Sequence, residues 1–352
     1  MKIDHEGWTL VTGGSGFIGG ALVRRLLALG CRVRVISRFA HKAHQDELRT
    51  HIRSQGQLDW FEGDPACLSS MSAAFADVTY VFHVAALVNS AAPRAVFDKA
   101  NVRATQNVCE LSLRNGVAKL IHVSTADVFG LPEFAEIFTE KAPYRPWAES
   151  YADSKIRAAE VVKEYRSQGL VSSMIYPGWV YGPGDRAFLP ALVSQIRSGL
   201  MPNWSPNDSE MYLVFVEDLV DGLLLAATSA ADNEDFLMLD DTSGTVMRDL
   251  CEQIASYFDI GYRSVRVPYQ FMYLLARMSH HLVRLGAVKT PLLTTTDVKS
   301  FGYRFRFSAA KARDVLGWSP RTSFIVGMEA ALRWYSENLI EPETKSVMPG
   351  RG

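Results

Sequence analysis

A tyrosine and a lysine four residues apart, Tyr151 and Lys155, have the side chains and the spacing to move a proton. On a helix this spacing places both side chains on one face. A free phenol has a pKa of about 10, which is too high for efficient proton exchange at neutral pH. A neighbouring ammonium group favours the phenolate, so the pair predicts an acid/base tyrosine whose pKa is lowered by Lys155. Because Tyr-x-x-x-Lys is common by chance, the pair needs support from its surroundings.

Two hydroxyl side chains, Ser124 and Thr125, precede this pair at the end of the apolar run that begins at Leu120. If that run is a strand of a parallel sheet, its carboxyl end faces the crevice where ligands bind in such sheets. A hydroxyl there can hydrogen-bond a substrate oxygen while Tyr151 exchanges the proton. Both hydroxyls are candidates for that role.

A glycine-rich turn connects a predicted strand to a predicted helix at residues 13–19. Gly13 permits a tight turn, Gly16 lets the backbone approach a pyrophosphate, and Gly19 lets the helix pack on the strand. The backbone N–H groups at the start of the helix then face the phosphates of a dinucleotide. The predicted cofactor contacts in this turn are Gly13, Gly16, Phe17, Ile18 and Gly19.

The end of the second predicted strand indicates which dinucleotide binds. An NAD enzyme commonly has an acid there for the adenosine ribose, whereas this chain has Ser37 and Arg38. These two side chains can accept a 2′-phosphate, so we predict NADP(H) over NAD(H). An arginine that is merely at the surface would leave the preference undecided. Asp64, after the third strand, either hydrogen-bonds the adenine amino group or caps the following helix.

Short apolar runs alternate with helical patterns in the first half of the chain. The predicted strands are Trp8–Thr12, Arg32–Ser37, Leu58–Glu62, Tyr80–Val84, Lys119–Ser124 and Val171–Tyr176. The predicted helices are Phe17–Leu29, Cys67–Ala76, Arg94–Arg114 and Tyr151–Ser167. This alternation implies right-handed crossovers. We therefore predict an α/β fold, a Rossmann-type doubly wound parallel sheet with a smaller mixed α/β substrate lobe on its C-terminal side.

The alternation weakens after Tyr181, where the sequence Gly-Pro-Gly-Asp interrupts the chain. We predict a dinucleotide-binding domain over residues 1–180, to which residues 211–240 return. Residues 181–340 form the smaller substrate-binding lobe. The polar residues 341–352 are predicted to be a loose tail.

The composition excludes several functional classes. Lys and Arg number 37 and Asp and Glu 38 among 352 residues, so we expect no nucleic-acid partner. The four cysteines are far apart in sequence, which is typical of reduced thiols and offers no zinc framework, so we expect no metal and a cytoplasmic protein. No apolar run approaches the roughly 18–20 residues of a membrane span.

The segment 268–290 has an amphipathic pattern with three interpretations. Its basic and histidine residues are predicted on the side opposite the apolar face. The helix either lies on a membrane or walls an apolar substrate pocket, or it covers the core of the smaller lobe. Its apolar face comprises Phe271, Leu274, Leu275, Met278, Leu282 and Leu285.

Several motifs together resemble the extended short-chain dehydrogenases/reductases of the NAD-dependent epimerase/dehydratase superfamily. They are TGGSGFIG, FHVAA at Phe82–Ala86, NVRATQNV at Asn101–Val108, HVSTADVFG, YADSK, YPGWVYGPGD and FSAAKARDVLGWSP. The resemblance implies that Thr125 is the catalytic hydroxyl, with Ser124 one residue before it, and that Lys155 also holds the nicotinamide ribose. It implies further cofactor contacts at Ala85, Ala86, Pro177 and Val180.

Departures from the family pattern point to the substrate. Trp179 and Met211 stand where nucleotide-sugar enzymes of the family carry an asparagine and an arginine on the diphosphate, and Ala126 stands where dehydratases carry an acid. The stretch after residue 290 resembles 3β-hydroxysteroid and sterol-4-carboxylate dehydrogenases. We therefore expect an NAD(P)-dependent oxidoreductase that interconverts a secondary alcohol and a ketone on a lipophilic substrate, whether steroid-like, isoprenoid or long-chain.

Two other functions stay open. One is a nucleotide-sugar epimerase or dehydratase, and the other is a non-catalytic protein that senses a dinucleotide. Among partners we expect a small hydrophobic substrate, and we leave open a homodimer and a peripheral membrane contact through residues 268–290.

Overall fold

The computed structural model describes residues 7–38, 48, 50–52, 56–88, 92–133, 136–204, 210–288 and 293–340. The predicted tail at residues 341–352 lies outside the described residues. The chain divides into two compact units. The first comprises Met1–Gly178, Leu219–Met238 and Phe307–Ser319, and the second comprises Trp179–Asp218, Leu239–Arg306 and the chain from Pro320 onward.

The division differs from the sequence expectation in two places. The segment that returns to the first unit begins at Leu219 rather than at residue 211, and a second segment, Phe307–Ser319, returns as well. Aromatic packing accounts for the second return. The Phe307 ring lies 5.3 Å from the Phe138 ring, and Trp318 is only 2% exposed.

The strands are short and most of them belong to one sheet of the first unit. Their bounds are β1 Trp8–Thr12, β2 Arg32–Ser37, β3 Leu58–Glu62, β4 Val78–His83, β5 Lys119–Val123, β6 Ser172–Pro177, β7 Trp179–Tyr181, β8 Leu200–Asn203, β9 Leu213–Phe215, β10 Phe236–Met238 and β11 Arg263–Arg266.

The sheet of the first unit has seven strands in the order β10-β6-β5-β4-β1-β2-β3. Every neighbouring pair in it is parallel. All residues of β1, β5 and β6 are buried, as expected for strands covered by helices on both faces. The predicted doubly wound, Rossmann-type α/β fold is confirmed.

The helices lie between the strands and through the second unit. Their bounds are α1 Phe17–Ala28, α2 Arg94–Phe97, α3 Ala104–Arg114, α4 Ser150–Ser167, α5 Phe188–Arg197, α6 Val216–Thr228, α7 Met247–Phe258, α8 Tyr269–Arg284, α9 Thr295–Gly302, α10 Ala310–Leu316 and α11 Phe324–Asn338.

Two helical predictions need correction. The helix expected over Cys67–Ala76 is replaced by two 3-10 turns, Leu68–Ser70 and Ser72–Phe75. The Ser70 hydroxyl donates to the carbonyl of Cys67 at 2.8 Å, with the Asp64 carbonyl at 3.1 Å as the alternative acceptor, and such local side-chain bonds compete with helix formation.

The helix expected over Arg94–Arg114 is interrupted by a π-helical turn. That turn, Asp98–Arg103, lies between α2 and α3. Single π-turns of this kind are frequent at functional sites, and this one carries the buried Asn101.

The second unit contains two parallel strand pairs, β7 with β9 and β8 with β11. Its larger core is formed by residues of α5, α7 and α11. A smaller cluster joins Met272 and Ala276 of α8 to Val298 of α9. Among the described residues, no helix has both the length and the apolar character needed to cross a bilayer.

The apolar face predicted for residues 268–290 does not cover this core. Instead α8 packs through Met272 and Ala276, while the six apolar side chains named above remain between 40% and 68% exposed. Arg277 and His281 are also exposed, so the buried side of the helix is the one that carries small and medium apolar residues.

Candidate active site

The glycine-rich turn packs closely against the chain that follows β4. Gly13 has φ +74°, and a Cβ atom at this position would lie 2.8 Å from the Ala85 Cα atom. At Gly19 a Cβ atom would collide with the Gly13 carbonyl. Side chains are therefore excluded at both positions, and the backbone of the turn is left open to a ligand.

The start of α1 is suited to an anion. Gly16 is the N-cap residue, no side chain caps the helix, and the first turn contains no acidic residue. The N–H groups of Phe17 and Ile18 belong to the first turn, whose N–H groups find no partner within a helix. This end of the helix therefore fits the pyrophosphate of a dinucleotide.

The candidates for the adenosine end lie beside this turn. Ser37 is buried at the end of β2, and its hydroxyl lies 2.9 Å from the hydroxyl of Ser15 in the turn. Arg38 follows and is exposed. The Asp64 carboxylate accepts a hydrogen bond from the Ala66 N–H at 3.0 Å. This bond closes a local turn and caps no helix, because the next element begins at Leu68 with Cys67 as its N-cap and without a side-chain cap.

The segment after β4 is held in place by a residue that sequence reasoning did not select, the buried Asn101. Its side chain accepts from Leu87 N at 2.7 Å and donates to Leu87 O at 3.1 Å. It also donates to the Ser154 hydroxyl on α4 at 2.9 Å. Asn101 thus fixes the segment that contains Ala85 and the exposed Ala86 to the helix of the Tyr–Lys pair. The sequence signal for Asn101 was a polar amide side chain within a segment predicted to be helical.

The Tyr–Lys pair lies at the start of α4. Lys155 is 2% exposed, and its ammonium donates to the carbonyl oxygen of Val123 in β5 at 2.7 Å. Burial lowers the pKa of Lys155 to about 7. The hydrogen bond to Val123 thus holds the lysine at the end of β5 in the free protein.

Tyr151 has a pKa that is raised, not lowered as expected. The side chain is half-buried, and desolvation by the surrounding protein is the main cause of the increase. The negative charge of Asp127 raises the pKa further, and a hydrogen bond with the Thr125 side chain lowers it. The expected decrease rested on two cations, Lys155 and the nicotinamide ring of a bound cofactor, whereas in the free protein desolvation by the folded surroundings dominates.

Thr125 is bound to Asp127, the second residue that sequence reasoning missed. The Thr125 hydroxyl donates to the Asp127 carboxylate at 3.1 Å and accepts from the Asp127 N–H at 3.2 Å. The Trp147 indole donates to the carbonyl oxygen of Asp127 at 2.6 Å. Because a hydroxyl has one proton, Asp127 and the phenolate form of Tyr151 compete for the hydrogen bond that Thr125 can donate. The sequence signal for the bonds between Thr125 and Asp127 was an acidic residue two positions after a hydroxyl residue.

Ser124 lies in a different environment. Its hydroxyl is buried and has no hydrogen-bond partner among the residues that the structure describes. Thr125, not Ser124, is the hydroxyl whose hydrogen bond lowers the pKa of Tyr151.

Two buried histidines lie in neighbouring strands close to Lys155. His83 in β4 and His122 in β5 are paired in register, and their rings are 5.3 Å apart. The hydroxyls of Thr12 and Thr105 bond the two ring nitrogens of His83 at 2.7 and 3.0 Å. Burial, followed by the charge of Lys155, lowers the pKa of His83 to about 3 and lowers that of His122 as well. Both rings are thus neutral at physiological pH.

The remaining predicted residues divide between the two units. Pro177 is buried at the end of β6 and pairs with Met238 of β10. Val180 lies in β7 of the second unit, opposite Val214 of β9. The structure therefore brings together the glycine turn, Ala85 and Ser37, and separately Tyr151, Lys155 and Thr125, within the first unit.

Trp179 and Met211 both have apolar surroundings in the second unit. The Trp179 ring lies 5.1 Å from the ring of Phe188 and 5.1 Å from that of Phe301. Met211 is 7% exposed and belongs to the larger core.

Comparisons with known proteins agree with this architecture. The model of the NAD dependent epimerase/dehydratase family matches residues 9–238. The chain is 28% identical over 329 residues to 4-hydroxy-2-methyl-3-oxo-4-farnesyl-3,4-dihydroquinoline-1-oxide ketoreductase of Stigmatella aurantiaca, which covers 92% of this chain and 95% of the relative. It is 25% identical over 364 residues to 3beta-hydroxysteroid-dehydrogenase/decarboxylase isoform 1 of Arabidopsis thaliana, with 97% and 83% covered.

A solved structure shares the fold. The UDP-glucose 4-epimerase of Thermotoga maritima with UDP-glucose has a TM-score of 0.74 at 22% identity, with 95% of this chain and 100% of that chain covered. The family match includes the glycine turn, the hydroxyls after β5 and the Tyr–Lys pair. The chain therefore belongs to the NAD dependent epimerase/dehydratase family, the extended short-chain dehydrogenases/reductases, and is a nicotinamide-dependent enzyme of that family.

Proposed function

We propose that the protein catalyses reversible hydride transfer between a nicotinamide cofactor and a secondary alcohol or ketone on a lipophilic substrate, with NADP(H) preferred over NAD(H). The bound cofactor donates or accepts the hydride. The glycine turn at residues 13–19 holds its pyrophosphate, and Lys155 holds its nicotinamide ribose. Ala85, Ala86, Pro177 and Val180 are the further cofactor contacts in this proposal.

Tyr151 exchanges the proton of the substrate oxygen. In the free protein its raised pKa keeps the phenol protonated, which is the form that reduces a ketone by donating a proton. With a cationic nicotinamide bound, Tyr151 would form the phenolate more readily, and the phenolate is the form that takes the proton from an alcohol during oxidation. The Thr125 hydroxyl hydrogen-bonds the same substrate oxygen, and its release from Asp127 makes that bond available.

The apolar environment of Trp179 is the observation that carries the substrate assignment. In the family pattern, nucleotide-sugar enzymes carry polar side chains that contact the diphosphate at the positions of Trp179 and Met211. A doubly charged diphosphate without these donors would be poorly solvated beside an aromatic cluster. The names of the two relatives, a ketoreductase of a farnesylated compound and a 3β-hydroxysteroid dehydrogenase, support the same assignment.

The preference for NADP(H) rests on the end of β2. Ser37 lies beside the glycine turn through Ser15, and the exposed Arg38 follows it. A hydroxyl and a guanidinium group bind a 2′-phosphate, and neither repels it as an acid would.

A ligand panel tests the proposal. We expect oxidation of NADPH with long-chain, isoprenoid or steroid ketones, and a loss of kcat/KM on these substrates of about 10-fold in Trp179→Asn as apolar contact area is removed. Thermal protection by UDP- or dTDP-sugars, together with no turnover of any ketone in the panel, would show an epimerase instead. Binding of NADPH with no turnover of either ligand class would show a non-catalytic sensor.

A further inference from the structure

One helix of the second unit exposes an unusually large apolar surface. Six large side chains of α8 and the residue that follows it are 40–68% exposed and recur at steps of one, three or four residues, so they form one stripe along the helix. Exposed apolar residues are common singly, but a continuous stripe of this kind marks an interaction site. The stripe comprises Phe271, Leu274, Leu275, Met278, Leu282 and Leu285.

The packing of α8 within the second unit uses a different side of the helix from this stripe. Met272 and Ala276, on the other side of α8, are 6% and 0% exposed and pack with Val298. The Tyr269 and Tyr273 rings are stacked at 6.1 Å and pack against the same cluster. The helix thus has a packed face, which includes Met272 and Ala276, and a separate exposed face, which is the stripe.

The charged residues in the sequence segment that contains the helix are all of one sign. Between Asp259 and Asp297 the sequence has five Lys and Arg residues and no Asp or Glu, although the whole chain has nearly equal numbers of both. Arg266 lies in the strand just before α8 and is exposed. Arg277 and His281, at i,i+4 spacing, are exposed along one edge of the stripe.

We propose that α8 docks the protein on the surface of a bilayer that contains anionic lipids, with the stripe inserted among the acyl chains and the arginines at the headgroups. This combination of an apolar face and a basic edge is what interfacial helices use. The 16 residues of α8 span only about 24 Å, less than the ~30 Å of a hydrocarbon core, so the helix lies in the plane of the surface. A second copy of the chain fits less well, because it would bring the same positive charge to the stripe.

Vesicle flotation tests this docking. We expect the purified full-length protein to float with phosphatidylcholine vesicles that contain ~25% phosphatidylglycerol and much less with phosphatidylcholine alone. Binding should weaken in ~0.5 M NaCl, where the Debye length is about 4 Å. Met278→Glu and Leu282→Glu should each reduce the bound fraction at least ~10-fold, since each puts a charge into the acyl region.

The chain offers a matched control for these variants. Ile325 in α11 of the same unit is 60% exposed, so Ile325→Glu adds the same charge at an exposed apolar position outside the stripe. It should float like the wild type, and thermal unfolding of all variants checks that they fold. The proposal is overturned if the wild-type protein does not float with anionic vesicles, or if the stripe variants float as well as Ile325→Glu. A wild-type dimer that Met278→Glu converts to a monomer, without vesicle binding, would instead assign the stripe to a second copy.

Discussion

The Thr125 hydroxyl donates its proton to the Asp127 carboxylate at 3.1 Å, and the same carboxylate raises the pKa of Tyr151. Asp127 therefore acts on both groups that bind the substrate oxygen in the proposed mechanism. It accepts the hydrogen bond that Thr125 could otherwise donate to the substrate, and its charge disfavours the phenolate of Tyr151. In the free enzyme this arrangement favours the protonated tyrosine that ketone reduction requires.

Asp127→Asn should shift the pH dependence of alcohol oxidation to lower pH. The substitution removes a negative charge that raises the pKa of Tyr151, so the phenolate forms at lower pH. The amide oxygen can still accept the Thr125 hydrogen bond, so the variant isolates the charge. The measurement is the ascending limb of kcat/KM against pH in the oxidative direction.

The control for this shift is Asp221→Asn. Asp221 binds Arg25 at the surface, at 2.9 Å, and the variant removes the same charge elsewhere in the first unit. Its pH profile should match the wild type. An unchanged or higher apparent pKa in Asp127→Asn would show that Asp127 does not set the ionisation of Tyr151.

Lys155→Met should stabilise the fold at low pH while removing activity. Burial lowers the pKa of Lys155 from 10.5 to about 7, so the unfolded chain holds the proton more tightly than the folded one. Below about pH 7 both states are protonated and the folded state bears the full cost of the buried charge. As the pH rises from there to 10.5 this cost decreases, and above 10.5 it is absent.

The measurement is the free energy of unfolding by denaturant at two pH values. We expect the free energy of unfolding of Lys155→Met to exceed that of the wild type by a few kcal/mol at about pH 6, and by much less at about pH 10. Lys163→Met is the control, because Lys163 lies on the same helix and its side chain is 44% exposed. Equal destabilisation of Lys155→Met at both pH values would contradict the effect of burial.

Arg38→Ala should reduce the preference for NADPH. A hydrogen bond to a charged group contributes about 1.5–3 kcal/mol, so the affinity for NADPH should fall roughly 10- to 100-fold. The affinity for NADH should change little, since it has no 2′-phosphate. Titration of both reduced cofactors measures this ratio.

Arg25→Ala, which removes a cation from the outer side of α1, should leave both affinities unchanged. Tighter binding of NADH than of NADPH by the wild-type protein would overturn the assignment of Arg38.

Sequence reasoning predicted the framework of the fold well because its signals are local. The bounds of β1, β2 and β3 follow from short apolar runs that end at turn residues, and all three match the structure. The 3-10 turns that replace the predicted helix at Cys67–Ala76 depend on the Ser70 hydroxyl, whose bonds to Asp64 and Cys67 compete with a regular helix.

The site was predictable in its residue types but not in its energetics. Tyr151, Lys155 and Thr125 were selected as candidates from spacing and from the family resemblance, and a hydrogen bond with Thr125 lowers the pKa of Tyr151 in the structure. The raised pKa of Tyr151 and the role of Asp127 could not be predicted, because desolvation and the direction of a hydroxyl proton depend on residues distant in sequence. The apolar face of α8 was identified from periodicity, but whether it is exposed stayed open for a similar reason. Periodicity identifies an apolar face without showing whether another element covers it.

The rate of hydride transfer in Tyr151→Phe tests the central claim most directly. The phenylalanine keeps the ring and removes the only group assigned to exchange a proton with the substrate oxygen. We expect single-turnover oxidation of NADPH with a ketone substrate to fall by several orders of magnitude, while the affinity for NADPH stays within about 2-fold of the wild type. A Tyr151→Phe enzyme that keeps near-normal turnover with unchanged cofactor affinity would contradict the mechanism.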